Sequence, residues 1–156
     1  MGMDLFGKAP TVEVGKYFRN SVWSWHPLWD YVEEVAPHLT EGVNGHHNDG
    51  DGLTCAAALQ LAAILSEQIT NGRTAQYATK RDRYLASLPD ESCEFCDRTG
   101  TRHDGLAIGH KSPDFPCNGC GGKGTVRPWI TNYDFSLANV VEFRDFAAAS
   151  GGFEIC

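Results

Sequence analysis

Of the six cysteines in this 156-residue chain, four are paired by spacing, in Cys93-Glu94-Phe95-Cys96 and Cys117-Asn118-Gly119-Cys120. Two Cys-x-x-Cys knuckles can close four thiolates around one tetrahedral Zn²⁺. Because the thiolates fill every position, the ion expected at Cys93, Cys96, Cys117 and Cys120 is structural, one per chain, with no place for a reacting water. A second stretch with reactive side chains is residues 41–52, a glycine-rich loop carrying His46, His47, Asn48, Asp49 and Asp51 ahead of a helix. An EF-hand alignment fails there, since placing Asp49, Asp51 and Gly52 at loop positions three, five and six puts Ala58 where the bidentate glutamate belongs. Asp51 is instead expected to cap the helix starting near Leu53, with Asp49 close to its positive end. Residues 15–29 hold three of the four tryptophans, with Arg19, Asn20 and His26 beside Trp23 and Trp25. That block reads as core packing or as an apolar pocket in which a small planar ligand stacks among a few directed polar groups.

The elements that must position these groups follow from periodicity. Residues 3–7 alternate as a strand closed by Gly7, and residues 153–156 alternate as a second strand able to pair with residues 3–6. Ser24 is expected to cap a helix with Pro27 in its first turn and Leu28, Trp29, Val32 and Val35 at helical spacing up to Pro37. Residues 53–70 are apolar on nearly every face and predict the central buried helix, with Cys55 in the core. A helix over 73–88 points Tyr77, Tyr84, Leu85 and Leu88 inward. A strand over 125–130 stays near an edge because of Pro128. Ser136 caps a last helix that closes at Gly151-Gly152. The expected fold is α+β: a helical core, a small sheet containing both termini, and a four-cysteine zinc knuckle lobe. Residues 1–156 are expected to form a single domain, with residues 90–127 as its zinc-binding subdomain.

Charge narrows the partners. The formal net charge is −7, which argues against general affinity for phosphate backbones. Residues 1–70 carry nine carboxylates and three cations, and nine minus three leaves −6 there, enough for an acidic face aimed at a basic protein. Around the zinc knuckles, Arg98, Arg102, Lys111, Lys123 and Arg127 face Glu94, Asp97, Asp104 and Asp114, and five minus four is thin support for nucleic acid. The connecting loop adds His103 and His110, read as surface or contact histidines. The start of the chain has neither a basic n-region nor an apolar h-region, and no apolar run reaches the roughly 18–20 residues of a membrane span. A reducing cytoplasm, with zinc ligation rather than disulfides, is the expectation.

Cys117-Asn118-Gly119-Cys120-Gly121-Gly122-Lys123-Gly124 fits Cys-x-x-Cys-x-Gly-x-Gly throughout, and the first copy keeps Gly100 but has Arg98 at the first glycine. This stretch resembles the cysteine-rich zinc module of DnaJ-type cochaperones, in which four copies build two zinc sites, so two copies imply one. Neither a His-Pro-Asp J-domain signature nor a glycine/phenylalanine linker accompanies it, and only the zinc fold carries over. The opening residues 2–8, the blocks Tyr17-Phe18-Arg19-Asn20 and Val22-Trp23-Ser24-Trp25, Asn48-Asp49-Gly50 and the ending Gly151-Gly152-Phe153-Glu154-Ile155-Cys156 resemble a group of uncharacterised small proteins of phages and bacteria. That likeness implies a zinc module inserted into an older fold.

Together these readings favour a non-enzymatic, zinc-stabilised binding protein. Its phage-type version inhibits a host or defence protein, in the host cytoplasm, through the acidic face or the aromatic pocket. The alternatives are a small metal-dependent hydrolase or nucleotide-processing enzyme using residues 46–51, with Arg19 on an anion, and a nucleic-acid-binding zinc finger.

Overall fold

A computed structural model describes residues 2–102 and 115–156, so His103 and His110 lie outside the described residues. The chain divides into two compact units, Met1–Asp82 with Asn132–Cys156, and Arg83–Thr131. The architecture is α+β.

In the first unit β1 (Gly2–Gly7) alternates as its sequence predicts, burying Met3 and Leu5. It pairs antiparallel with β2 (Tyr17–Ser21) on one side and with β6 (Phe153–Ile155) on the other, Leu5 opposite Ile155 and Gly7 opposite Phe153. A two-residue strand, β3 (Gly52–Leu53), adds to β6, giving the antiparallel order β2-β1-β6-β3. The pairing of the two terminal strands matches the expectation, whereas β2 and β3 were not anticipated.

Helix α1 spans Val22–Val35, and its cap is Ser21, whose side chain accepts from the Ser24 amide. The cap therefore lies three residues before the expected Ser24. Pro27 sits inside it rather than in its first turn, where it removes one backbone donor. Trp25, Leu28, Trp29 and Val32 form its buried stripe. After a one-turn helix, α2 (Pro37–Thr40), the chain runs through the loop to β3 and α3 (Cys55–Thr70).

Thr54 rather than Asp51 caps α3, accepting from the Ala57 amide. Only one face of α3 is buried, by Ala58, Leu61, Ala62 and Leu65, while Leu59 is 52% exposed. Cys55 is exposed at the helix start, not in the core. The central helix is instead α5 (Leu137–Ala149), capped by Ser136 as expected, which packs against α3, α1, β1 and β2. Phe143 of α5 lies within 5.8 Å, centroid to centroid, of the Phe18, Trp25 and Phe153 rings. Helix α4 (Arg73–Ser87) buries Thr74, which hydrogen-bonds Tyr31 at 2.9 Å, and half-buries Tyr77 against the Tyr31 and Phe135 rings. Tyr84, expected inward, is 59% exposed.

In the second unit β4 (Glu91–Ser92) pairs with β5 (Thr125–Val126), and that strand is shorter than the expected 125–130. Residues Trp129–Asn132 turn into a 3-10 helix beyond Pro128. The Arg127 guanidinium closes the base of the hairpin by donating to the carbonyls of Leu85 and Leu88, each at 2.6 Å. Among the described residues no helix is long and apolar enough to cross a membrane.

The burial pattern orders the helices by energetic weight. Phe143→Ala should cost about 3–5 kcal/mol, the usual loss for deleting a buried ring. Leu59→Ala on the open face of α3 should stay within about 0.5 kcal/mol. Urea melts of the two variants measure both, and a larger loss at Leu59 would restore α3 as the central helix.

Candidate metal centre and the loop at His46

The four motif cysteines converge as one buried cluster, each at most 8% exposed. Their ligand atoms lie within 4.8 Å of one another, and the set can hold one metal ion. Two cross-knuckle pairs, Cys93–Cys117 and Cys96–Cys120, have sulfurs 3.7 Å apart. Zinc–sulfur bonds of about 2.3 Å in a tetrahedron put sulfurs about 3.8 Å apart, whereas a disulfide brings them to about 2.0 Å. The observed spacing therefore suits a shared tetrahedral ion.

The knuckles hold this geometry through a repeated backbone. Cys93 N donates to Gly124 O at 3.0 Å and Cys117 N to Gly100 O at 2.8 Å, so each knuckle anchors the other. Asp97 and Arg98 adopt φ of +45° and +69°, beside +60° and +82° at Gly121 and Gly122. Arg98 thus takes the left-handed conformation that the glycine pattern prescribes, with a Cβ present. Gly124 (φ +77°) could not carry one, because it would stand 2.3 Å from Arg98 O. Its amide donates to the Cys120 sulfur at 3.1 Å, the kind of support that orients a thiolate ligand. Burial pushes the Cys93 thiol up to about 12. At Cys120 burial acts in the same direction, but the Gly124 amide and the neighbouring cysteines outweigh it and bring the thiol to about 7. Buried thiols with such disparate acidities ionise together when a cation neutralises them.

The other predicted site residues scatter. Trp25 is fully buried, stacked on Trp29 at 5.4 Å and edge-on to Phe143 at 5.5 Å, so no face remains for a planar ligand. That corrects the reading at Trp25, whose ring fills the core. Trp23 is half-buried with its ring 5.0 Å from Tyr133. Arg19 is exposed on β2, 3.7 Å from Asp4, which also accepts from the Tyr17 hydroxyl. Asn20 donates to Asn139 at 2.7 Å. Gly2, Arg19, Asn20 and Ser21 line an open depression of ≈ 460 Å³.

The loop is held from both sides. The buried Trp25 indole donates to Gly45 O at 2.7 Å, and Gly45 lies so close on Trp29 that an added Cβ would be 1.9 Å from the indole. Asn44 binds both loop aspartates, its amide donating to Asp51 at 2.9 Å and its side chain to Asp49 at 2.6 Å. The two carboxylates therefore organise the turn instead of facing the histidines, which corrects the reading of His46, His47, Asp49 and Asp51 as one ligand set. Asn48 donates to Gly2 O at 3.2 Å, and His47 is exposed.

His46 turns to α1. Its Nδ1 lies 2.8 Å from Nδ1 of His26, and its Nε2 lies 3.4 Å from Asp30 Oδ1 and 3.8 Å from Glu33 Oε2. The second Glu33 oxygen accepts from Trp29 Nε1 at 2.9 Å. Burial, then the neighbouring His46, holds His26 below the ordinary imidazole range. Asp30 and Glu33 were missed by the sequence reading, although His26, Asp30 and Glu33 fall at i, i+4 and i+7 on one helix face.

No protein-family model, curated protein or solved structure matches the chain.

The knuckle backbone makes a direct prediction. Arg98→Gly removes a Cβ from a left-handed position, relieving about 1–2 kcal/mol of strain partly offset by the greater freedom of the unfolded chain. The metal-loaded variant should melt at the same temperature or a few degrees higher, whereas Gly124→Ala should lower the melting temperature and weaken metal retention against a chelator. Differential scanning calorimetry with metal analysis reads both. A large loss at Arg98→Gly would contradict the equivalence of the two knuckles.

Proposed function

We propose that the chain is a zinc-stabilised protein-binding module in which the ion braces a recognition surface and takes no part in chemistry. The observation that carries this reading is Phe95. This ring sits between the two cysteines of the first knuckle, 54% exposed. Its inner side packs on Gly119, where a Cβ would stand 2.4 Å away, and the Arg102 guanidinium lies 5.0 Å from its centroid. An aromatic ring and an arginine held by metal-fixed backbone are the residue types that dominate binding energy at interfaces, because little entropy is lost when they dock. The donor set, four thiolates at tetrahedral spacing, supports zinc among the common ions.

The net charge of −7 favours a basic partner protein, and imitation of nucleic-acid charge by an inhibitor of a host or defence protein is the specific form consistent with the phage-like sequence blocks. Four thiols kept reduced for the metal fit a cytoplasmic setting.

Affinity capture with the metal-loaded protein, run beside Phe95→Ala, tests the reading. The expected result is a protein retained by the parent and lost at least tenfold by the variant at unchanged zinc content, with retention falling as salt rises. Identical capture by the two forms would refute a binding role for this surface. A gel shift with DNA or RNA at low salt that disappears in Phe95→Ala would move the assignment to nucleic acid.

A further inference from the structure

We propose that Asp30, Glu33 and His46 form a second, open metal site for a divalent first-row transition ion such as Zn²⁺ or Mn²⁺, distinct from the thiolate site. The ligand atoms of the three residues lie within 4.8 Å of one another. Two ligands at 2.0–2.1 Å from a tetrahedral zinc stand about 3.3–3.4 Å apart, and His46 Nε2 is 3.4 Å from Asp30 Oδ1 and 3.8 Å from Glu33 Oε2.

Support from surrounding groups separates this arrangement from a chance cluster of surface carboxylates. His46 can donate its Nδ1 proton to His26 Nδ1 at 2.8 Å, which leaves the Nε2 lone pair facing the two carboxylates. Trp29 Nε1 holds one oxygen of Glu33 at 2.9 Å, and the other is the oxygen nearest His46. A partner for the second imidazole nitrogen and a donor on one carboxylate oxygen are what outer partners of metal ligands supply. The backbone is fixed as well, through the Trp25 bond to Gly45 O at 2.7 Å. With the proton on Nδ1, the Nε2 lone pair meets two carboxylates, a repulsion that a divalent cation turns into ligation.

One imidazole and two carboxylates suit zinc or manganese more than a soft ion. Three protein ligands leave at least one position for water or an anionic ligand, in contrast to the closed thiolate set. With side-chain exposures of 31% at His46, 52% at Asp30 and 41% at Glu33, that position is reachable from solvent.

Equilibrium dialysis of the full chain, already zinc-loaded at the cysteines, against Mn²⁺ and separately Zn²⁺ tests the site. One further ion per chain should bind saturably. Asp30→Asn and His46→Gln should each weaken that binding tenfold or more, while His47→Gln and Asp49→Asn should leave it within twofold. Binding of no ion beyond the first, or equal affinity in the parent and His46→Gln, would overturn the proposal. Nitrogen chemical shifts of the parent's imidazoles on Zn²⁺ addition keep the test decisive even if a variant misfolds. The His46 Nε2 signal must move as a ligating nitrogen. An Nε2 that keeps its proton toward Asp30 would mark a hydrogen-bond relay without metal and overturn the site.

Discussion

The bond from the Trp25 indole to Gly45 O is the constraint on which the first unit's irregular half depends. An N–H in a fully buried ring has no water to turn to, and leaving it unpaired would cost about 1–3 kcal/mol. It is satisfied by a loop carbonyl brought down to the core at 2.7 Å. Glycine is required at the contact because Trp29 occupies the place a side chain would take. Once Gly45 is pinned, His46 has little choice of position and meets the polar face of α1. The rest of the loop is then tied by Asn44 to both aspartates and by backbone bonds from Gly50 to Ile155 and from Ile155 to Asp51. Core packing and the layout of the polar cluster are in this sense one event.

The second unit solves a different problem, that of keeping structure with little apolar area. Its buried cluster consists of the four cysteines with Val126 packed on them. Regular structure is limited, among the described residues, to the two-residue strands, the end of α4 and the start of a 3-10 turn. An ion held by the four sulfurs would supply what a core of this size cannot. Each knuckle ends in a left-handed turn, built with glycines once and with Asp97 and Arg98 once.

Local chemistry was what the sequence made legible. The cysteine spacing, the Ser136 cap and the alternation of residues 3–7 and 153–156 each carry their meaning within a few residues; the four cysteines converge, Ser136 caps α5, and the terminal strands pair, the last over residues 153–155. Choices between near-equivalent signals were harder. Asp51 and Thr54 are both good capping residues; Gly52 and Leu53 pair as β3, so the helix starts at Cys55 and Thr54 caps it, while Asp51 is engaged by Asn44. The alanine- and leucine-rich α3 looked more buried than α5, yet Phe143 and Phe146 of α5 fill more space than alanines can, and with Phe153 of β6 packed on them they centre the core on α5. Strand β2 was obscured because aromatic residues serve sheets and pockets alike. Asp30 and Glu33 were passed over because a carboxylate on a helix face usually faces only solvent, and nothing local says that a histidine thirteen or more residues away will come to meet it.

The two clusters differ in kind, and the difference follows from ligand chemistry. Thiolates are soft, buried and complete in number, so an ion there is bound tightly and reacts with nothing. The imidazole and carboxylates are harder, half-exposed and one ligand short of a closed shell, so an ion there is exchangeable and can still accept water or an anion. A chain of this size that used one metal set both to hold itself together and to engage a ligand would lose its fold whenever the ligand competed for the ion. With separate ligand sets, an ion exchanging at His46 would leave an ion at the cysteines in place. The buried tryptophan bond supports this separation, because it positions His46 through the apolar core rather than through a metal.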